Sequence, residues 1–188
     1  MGVESPTSRG SFGLEELGLF DTTPLKPLDT IVDLCAEAID APVVAFLVFD
    51  DNAASMVIKS IIGGADVRPG PIGVQAERSA CDLVRREACG IGISNLSARA
   101  ETAQVFERRK LGAIGFLAAP VHGPDGAIIG VLAAMTPSEH HWTRHEKKLI
   151  ENYAYLLSEQ VMFRAALQTV KILSREFSPF GKPVRFRN

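Results

Sequence analysis

Three groups of side chains in this chain carry chemistry beyond packing. They are the thiols of Cys35, Cys81 and Cys89, the imidazoles of His140, His141 and His145, and the run Ser79-Ala80-Cys81-Asp82, which sets a hydroxyl, a thiol and a carboxylate close together. A cysteine becomes nucleophilic when cationic neighbours or a helix N-terminus favour the thiolate. Cys81 has Arg78, Arg85 and Arg86 near it in sequence and lies near an expected helix start. Asp82 acts in the opposite direction, and a free cysteine also serves as a small buried hydrophobe. Cys81 is therefore expected to line a pocket or a core rather than to attack a substrate. On one continuous helix, Cys81 and Cys89 would lie roughly 12 Å apart, too far for a disulfide.

The histidines make a weak metal set. There is no H-E-x-x-H, and Thr143 as a helix cap would leave His140 and His141 outside the helix that carries His145. A solvated helix start is expected there. Gly90-Ile91-Gly92 lacks the third glycine and the preceding long strand of a dinucleotide loop. Gly63-Gly64 lacks the lysine of a P-loop. Neither a Ser-His-Asp set nor paired carboxylates stand out, and no metal or cofactor is indicated.

The elements that must position these residues follow from periodicity. With 188 residues, 46% hydrophobic and 22% charged, the chain suits one domain plus some extra helix. A net charge of −2 gives no field that would draw it to nucleic acid or an anionic membrane. No apolar run reaches the roughly 18 residues of a membrane span. Residues 1–11 lack an apolar signal core and are expected to form a flexible tail. An odd number of thiols without a secretion signal points to the reducing cytosol.

A short lead-in helix is expected over Phe12 to Leu19, and a helix from Asp29 or Thr30 to Ile39, stopped by Ala41-Pro42. Val43 to Phe49 is apolar at every position, as in a central strand covered on both faces. Asp50-Asp51-Asn52 turns into a partner strand over Ser55 to Ile62. Pro69, Gly70, Pro71 and Gly73 make Ala65 to Gly73 a loop. Helical character returns over Ala76 to Glu87, followed by a short strand at Ile91 to Ser94 and a short helix at Ala103 to Lys110. Ile114 to Val121 and Ala127 to Met135 are strands joined by a Gly123-Pro124-Asp125-Gly126 hairpin turn. Thr143 and Glu146 fit a capping box for a long helix to about Ser174. That helix carries two apolar stripes, one through Ile150, Ala154, Leu157 and Val161, the other through Leu149, Tyr153, Leu156, Gln160, Phe163, Leu167 and Val170. One stripe can cover a sheet while the other meets a partner helix. The expected fold class is α+β, an antiparallel sheet sandwiched between helices.

Several segments together resemble the GAF domain family, sensor modules related to the profilin and PAS folds and found in phytochromes, phosphodiesterases and bacterial signalling proteins. Gly18-Leu19-Phe20-Asp21-Thr22-Thr23-Pro24 resembles the family's G-[IL]-L-D-T-x-P opening, and Ile58-Lys59-Ser60 with Gly63 its K-S-x-x-G strand. Ser79-Ala80-Cys81 resembles S-F-C, Phe116 to Val121 resembles Y-A-G-A-P-L, and Asp125-Gly126 with Ile129-Gly130-Val131-Leu132 resembles D-G-x-x-I-G-x-L. Ala118 stands at the family's strand glycine, and Ala133 to Thr136 replaces its C-x-x-D.

The resemblance covers most of Leu19 to Val161 and implies a cavity between the sheet and the middle helices. Ser79, Cys81 and Asp82 would line its wall, Phe116 and Ala118 its floor, with Phe106 as a lid. It implies a sensor domain over 12–170, between the tail at 1–11 and a basic, aromatic tail at 171–188. The expected function is small-ligand sensing or regulation. At this chain length it would act in trans on a signalling protein, as a homodimer through its terminal helices. The other readings are a thiol-dependent reductase like the free methionine sulfoxide reductases, which share the fold, and a ligandless dimerisation scaffold. Neither Cys81 nor Cys89 precedes a histidine, so covalent bilin attachment is not expected.

Overall fold

The computed structural model describes residues 13–64, 66–72 and 79–176. The tail expected at 1–11 and most of the one expected at 171–188 lie outside these residues. Six strands form one antiparallel sheet: β1 (Val43–Asp50), β2 (Ser55–Ile62), β3 (Gly70–Ile72), β4 (Ile91–Ile93), β5 (Gly115–His122) and β6 (Ile128–Thr136). Their order across the sheet is β3-β2-β1-β6-β5-β4, so β1 and β6 occupy the centre. This explains why β1 is apolar on both faces: six of its eight residues are buried.

Alternation along the strands sends side chains into two layers. Val44, Phe46 and Val48 of β1, Leu117 and Ala119 of β5, and Leu132 and Ala134 of β6 join one cluster with α1 (Lys26–Ile39) and α4 (Arg144–Glu176). Ala45, Leu47, Phe116, Ala118, Val131, Ala133 and Met135 join the other, with α2 (Cys81–Glu87) and α3 (Phe106–Leu111). Each large side chain placed this way contributes about 1.5–3 kcal/mol. The stripe Ile150, Ala154, Leu157 and Val161 is the one that α4 buries.

Two motif glycines permit close backbone approach. A Cβ on Gly63 would lie 1.9 Å from the Pro42 carbonyl oxygen, in a backbone with φ +77. A Cβ on Gly130 in β6 would lie 2.2 Å from the Leu47 carbonyl oxygen of β1. The expected hairpin turn is present, closed by the Gly123 N–H donating to Ala127 O at 2.8 Å. So is the capping box: the Glu146 N–H donates to Thr143 Oγ1 at 3.2 Å and the Thr143 N–H to Glu146 Oε2 at 2.7 Å.

Three expectations change. The lead-in helix is instead a wound turn over 13–19, because Gly18 at φ +70 reverses the chain before a helix can continue. The first helix begins at Lys26, not Asp29 or Thr30, since Pro27 is tolerated in a first turn, where its missing N–H is not needed. The Pro-Gly loop contains the three-residue strand β3, whose Pro71 is acceptable on a sheet edge. α2 begins at Cys81; residues 73–78, which include part of its expected length, lie outside the described residues.

The N-terminal turn is fastened at two points. Lys59 of β2 is 2% exposed. Its ammonium donates to Asp21 O and Asp21 Oδ1, each at 3.0 Å, and to Thr23 O at 2.8 Å. Arg164 of α4 donates Nε and Nη2 to Leu17 O at 3.1 and 3.0 Å. The D-T-x-P and K-S-x-x-G segments, far apart in sequence, are thus the two halves of one ion-pair clamp.

Candidate functional site

α2 and α3 are too short to hold themselves in place by helix formation alone. They are joined through Glu107, a carboxylate in the first turn of α3 that is 0% exposed. Its Oε1 accepts from the Ser79 hydroxyl and, at 3.2 Å, from the Cys81 thiol. Its Oε2 accepts from the Ala80 N–H at 2.9 Å, and Ser79 Oγ accepts from the Cys81 N–H at 3.0 Å. The lead into α2 is therefore stitched to the start of α3 by one buried acid. Among the described residues, every buried side-chain nitrogen and oxygen has a partner.

This network sets the state of Cys81. Burial, then the charge of the neighbouring Glu107 carboxylate, push its thiol well above the ordinary value, so it remains protonated and donates. Cys35 lies on the opposite side of the sheet, in the α1–α4 layer, and burial raises its thiol to about 12. Cys89 is exposed just beyond α2, after a left-handed Ala88. A thiol-labelling experiment on native protein should modify one cysteine rapidly, and all three only in denaturant. Rapid labelling of Cys81 as well would show the network open in solution.

The remaining expected site residues fall into two places. Phe106, Phe116 and Ala118 lie with Cys81 in the buried α2–α3 layer. Register sets Ala45 of β1 against Ala133 of β6, and Ala133 against Ala118 of β5. Three small side chains therefore make a shallow row across the middle of this face. Phe116, opposite Met135, walls one end. Asp82 lies outside, 3.2 Å from Arg86, which also pairs with Glu101 at 2.6 Å. Ser79, Asp82, Leu83, Arg86, Glu101, Thr102 and Val105 line an open cleft of about 330 Å³. Ser79 belongs to both places and connects the cleft with the buried network.

Glu107 was not singled out by its sequence setting. The one available signal was an acid directly after an apolar residue in the basic run Phe106-Glu107-Arg108-Arg109-Lys110. His140 pairs with Glu146 at 2.7 Å and packs on Trp142, while His141 lies 3.3 Å from Ser94 Oγ. Among the described residues no group of three or more metal-ligating side chains converges. None of the described helices is long and apolar enough to cross a membrane.

Solved structures with the same architecture include the GAF domain of an Acinetobacter phosphoenolpyruvate-protein phosphotransferase. That match has TM-score 0.65 and 18% identity, over 82% of this chain and 90% of that one. The blue-light absorbing form of the PixJ GAF domain from Thermosynechococcus elongatus matches with TM-score 0.64 and 16% identity, over 84% and 94% of the two chains. The free methionine-R-sulfoxide reductase of Neisseria meningitidis, in complex with its substrate, matches with TM-score 0.62 and 15% identity, over 82% and 86%. At these identities the likeness is one of fold. A curated relative, the diguanylate cyclase DgcP of Escherichia coli, is 27% identical over 63 residues. The match takes in 34% of this chain and 18% of that protein's length. The model of the GAF domain matches residues 24–161. With that match across most of its length, and the sheet and helices in their expected places, the chain belongs to the GAF domain family.

Proposed function

We propose that this GAF domain is a small-ligand sensing or regulatory module, with its ligand on the α2–α3 face, and that it signals to a partner protein rather than catalysing a reaction. The observation that carries the reading is the row Ala45, Ala133 and Ala118 beneath two short helices held by a single buried carboxylate. Small side chains on the central strands leave depth where large ones would fill it. Short, separately pinned helices form a cover that can shift between arrangements, and a ligand that binds one arrangement better biases the pair. The protonated, enclosed Cys81 supports a wall residue over a nucleophile, because a thiol-based reductase needs a thiolate that a substrate can reach.

Native mass spectrometry of freshly purified protein, compared with Ala118→Leu, tests the proposal. The expected result is an additional small-molecule mass on the wild type that is absent from the variant, with the variant's Tm near that of the wild type. A tightly packed layer would respond differently, since added methylenes in a full core cost about 1–3 kcal/mol. At about 2–4 °C per kcal/mol for a chain of this size, that is a readily measured fall in Tm. Such a fall, with no bound mass on the wild type, would mean a ligandless scaffold and end the sensing reading.

A further inference from the structure

We propose that the segment 99–104 is a swinging strap over the entrance to the α2–α3 layer, and that Arg86 and Glu101 are its catch. The inference rests on the reading that this face holds a ligand, and adds to it the route by which the ligand enters.

Ser79 is where the outer cleft meets the buried network, so the cleft of about 330 Å³ is an anteroom on the way in. Its inner limit is the contact of the Ser79 hydroxyl with Glu107. Its outer limit is the contact of Arg86 Nη2 with Glu101 Oε1 at 2.6 Å. A space of that volume lies at the small end of ordinary ligand sites and admits a small molecule rather than a peptide.

The strap is tied mainly to its own surroundings. The Thr102 N–H donates to Arg99 O at 3.1 Å and the Thr102 hydroxyl to Leu96 O at 2.6 Å, while Arg108 Nη1 donates to Ala103 O at 2.8 Å. Arg99, Ala100, Glu101 and Gln104 are exposed. Among the described residues, Glu101 makes the strap's one side-chain hydrogen bond to α2. An exposed segment with so few outside attachments belongs to the parts of a fold that open first. The other flank of α2 is held more firmly. Arg85 donates to both carboxylate oxygens of Asp51, at 2.7 and 3.0 Å, and lies over the Phe49 ring at 4.8 Å. α2 therefore stays with the β1–β2 hairpin while the strap side opens. Arg86 also pairs within α2, with Asp82 at 3.2 Å, so its guanidinium keeps a partner when Glu101 swings away. Exposed ion pairs are weak, which suits a catch that must release.

Slow alkylation of the native full chain by iodoacetamide in a Cys89→Ser background, read peptide by peptide by mass spectrometry, tests the strap. Cys81 lies behind the anteroom. Cys35, buried on the other side of the sheet, reports opening of the whole fold. Glu101→Gln should speed alkylation of Cys81 about two- to fivefold, as the strength of an exposed pair implies, and leave Cys35 unchanged. Glu101→Arg, which sets two guanidiniums together, should speed it further. Asp51→Asn, on the firmer flank, should leave the Cys81 rate as it is. Equal Cys81 rates in the wild type and both Glu101 variants would overturn the strap. A response to Asp51→Asn alone would place the entrance at the hairpin instead. A rise at Cys35 that matches the rise at Cys81 would also overturn it, because the whole fold would then be opening. The readout needs no ligand, so its failure is separate from an absent ligand mass in native mass spectrometry.

Discussion

Replacing Glu107 by Leu is expected to cost about 3–5 kcal/mol, because the Ser79 hydroxyl, the Cys81 thiol and the Ala80 N–H lose their acceptor inside the protein. For a chain of this size that corresponds to a fall in Tm of about 6–20 °C. Glu107→Gln should cost less, about 1–3 kcal/mol. One amide oxygen can still accept from Ser79 and Cys81, but the amide nitrogen meets the Ala80 N–H donor to donor. Ser79→Ala should cost a similar amount, about 1–3 kcal/mol, since it removes one donor from the acid and also leaves the buried Cys81 N–H without its acceptor. Chemical denaturation supplies the ranking, and hydrogen exchange the location: residues 79–87 and 106–111 should lose protection first. A Glu107→Leu protein as stable as the wild type would show that the two helices are held by packing alone. Because burial and then this acid keep the Cys81 thiol protonated, the Leu variant should also make Cys81 more reactive wherever α2 opens and exposes it.

The second large effect is expected at Lys59. Lys59→Met retains the apolar stem and removes the ammonium, leaving Asp21 O and Thr23 O without their donor. The loss should be about 2–4 kcal/mol, charge-assisted hydrogen bonds being the stronger kind. Hydrogen exchange over residues 17–24 should rise well before the sheet is affected. Unchanged protection there would mean that Leu17 and Leu19, both buried, hold the turn without the clamp.

The clamp also has a pH signature. The hydrogen bond from Lys59, reinforced by the Thr23 N–H, lowers the Asp21 carboxyl below its ordinary value. A carboxyl with a lowered folded-state value stabilises the fold fully above its unfolded value and loses that contribution as pH falls through the folded one. Protection of residues 17–24 should therefore be flat through neutral pH and fall only in acid below the ordinary carboxylate range. Lys59→Met should lack that acid-sensitive component.

Where side-chain pattern and local turn chemistry decide an element, the sequence is readable. β1 and β2 are marked by an unbroken apolar run and its partner, the hairpin by Pro124-Asp125-Gly126, and the start of α4 by Thr143 and Glu146. Pro71, read with its neighbours as part of a loop, lies in β3, and Pro27, which no expectation used, lies inside the start of α1; both fit for a common reason. Proline reads as a breaker, but the first turn of a helix and the edge of a sheet are the two settings that do not require its N–H. Periodicity also assigned α4 two apolar faces, and burial identifies which one the sheet takes.

Polar partners are harder to read, because nothing in the spacing of Lys59 and Asp21 says that they meet, although each stands out within its own motif. Glu107 is the extreme case: a carboxylate in a basic run reads as surface until Ser79 and Cys81 are seen to close on it. Of the residues expected to form the site, Cys81, Phe106, Phe116 and Ala118 share one layer, Ser79 reaches into it, and Asp82 remains at the outer cleft.

The alternation along β6 has a mechanical consequence. Ala133 touches the α2–α3 layer, while Leu132 and Ala134 touch the α1–α4 layer, and successive Cα atoms are fixed about 3.8 Å apart by the peptide bond. Two rooms share this wall, and neither can push on it unheard by the other. If an occupant beside Ala133 bows the strand, Leu132 and Ala134 are carried with it, and α4 must tilt or open a void. Close packing makes the void the costlier choice.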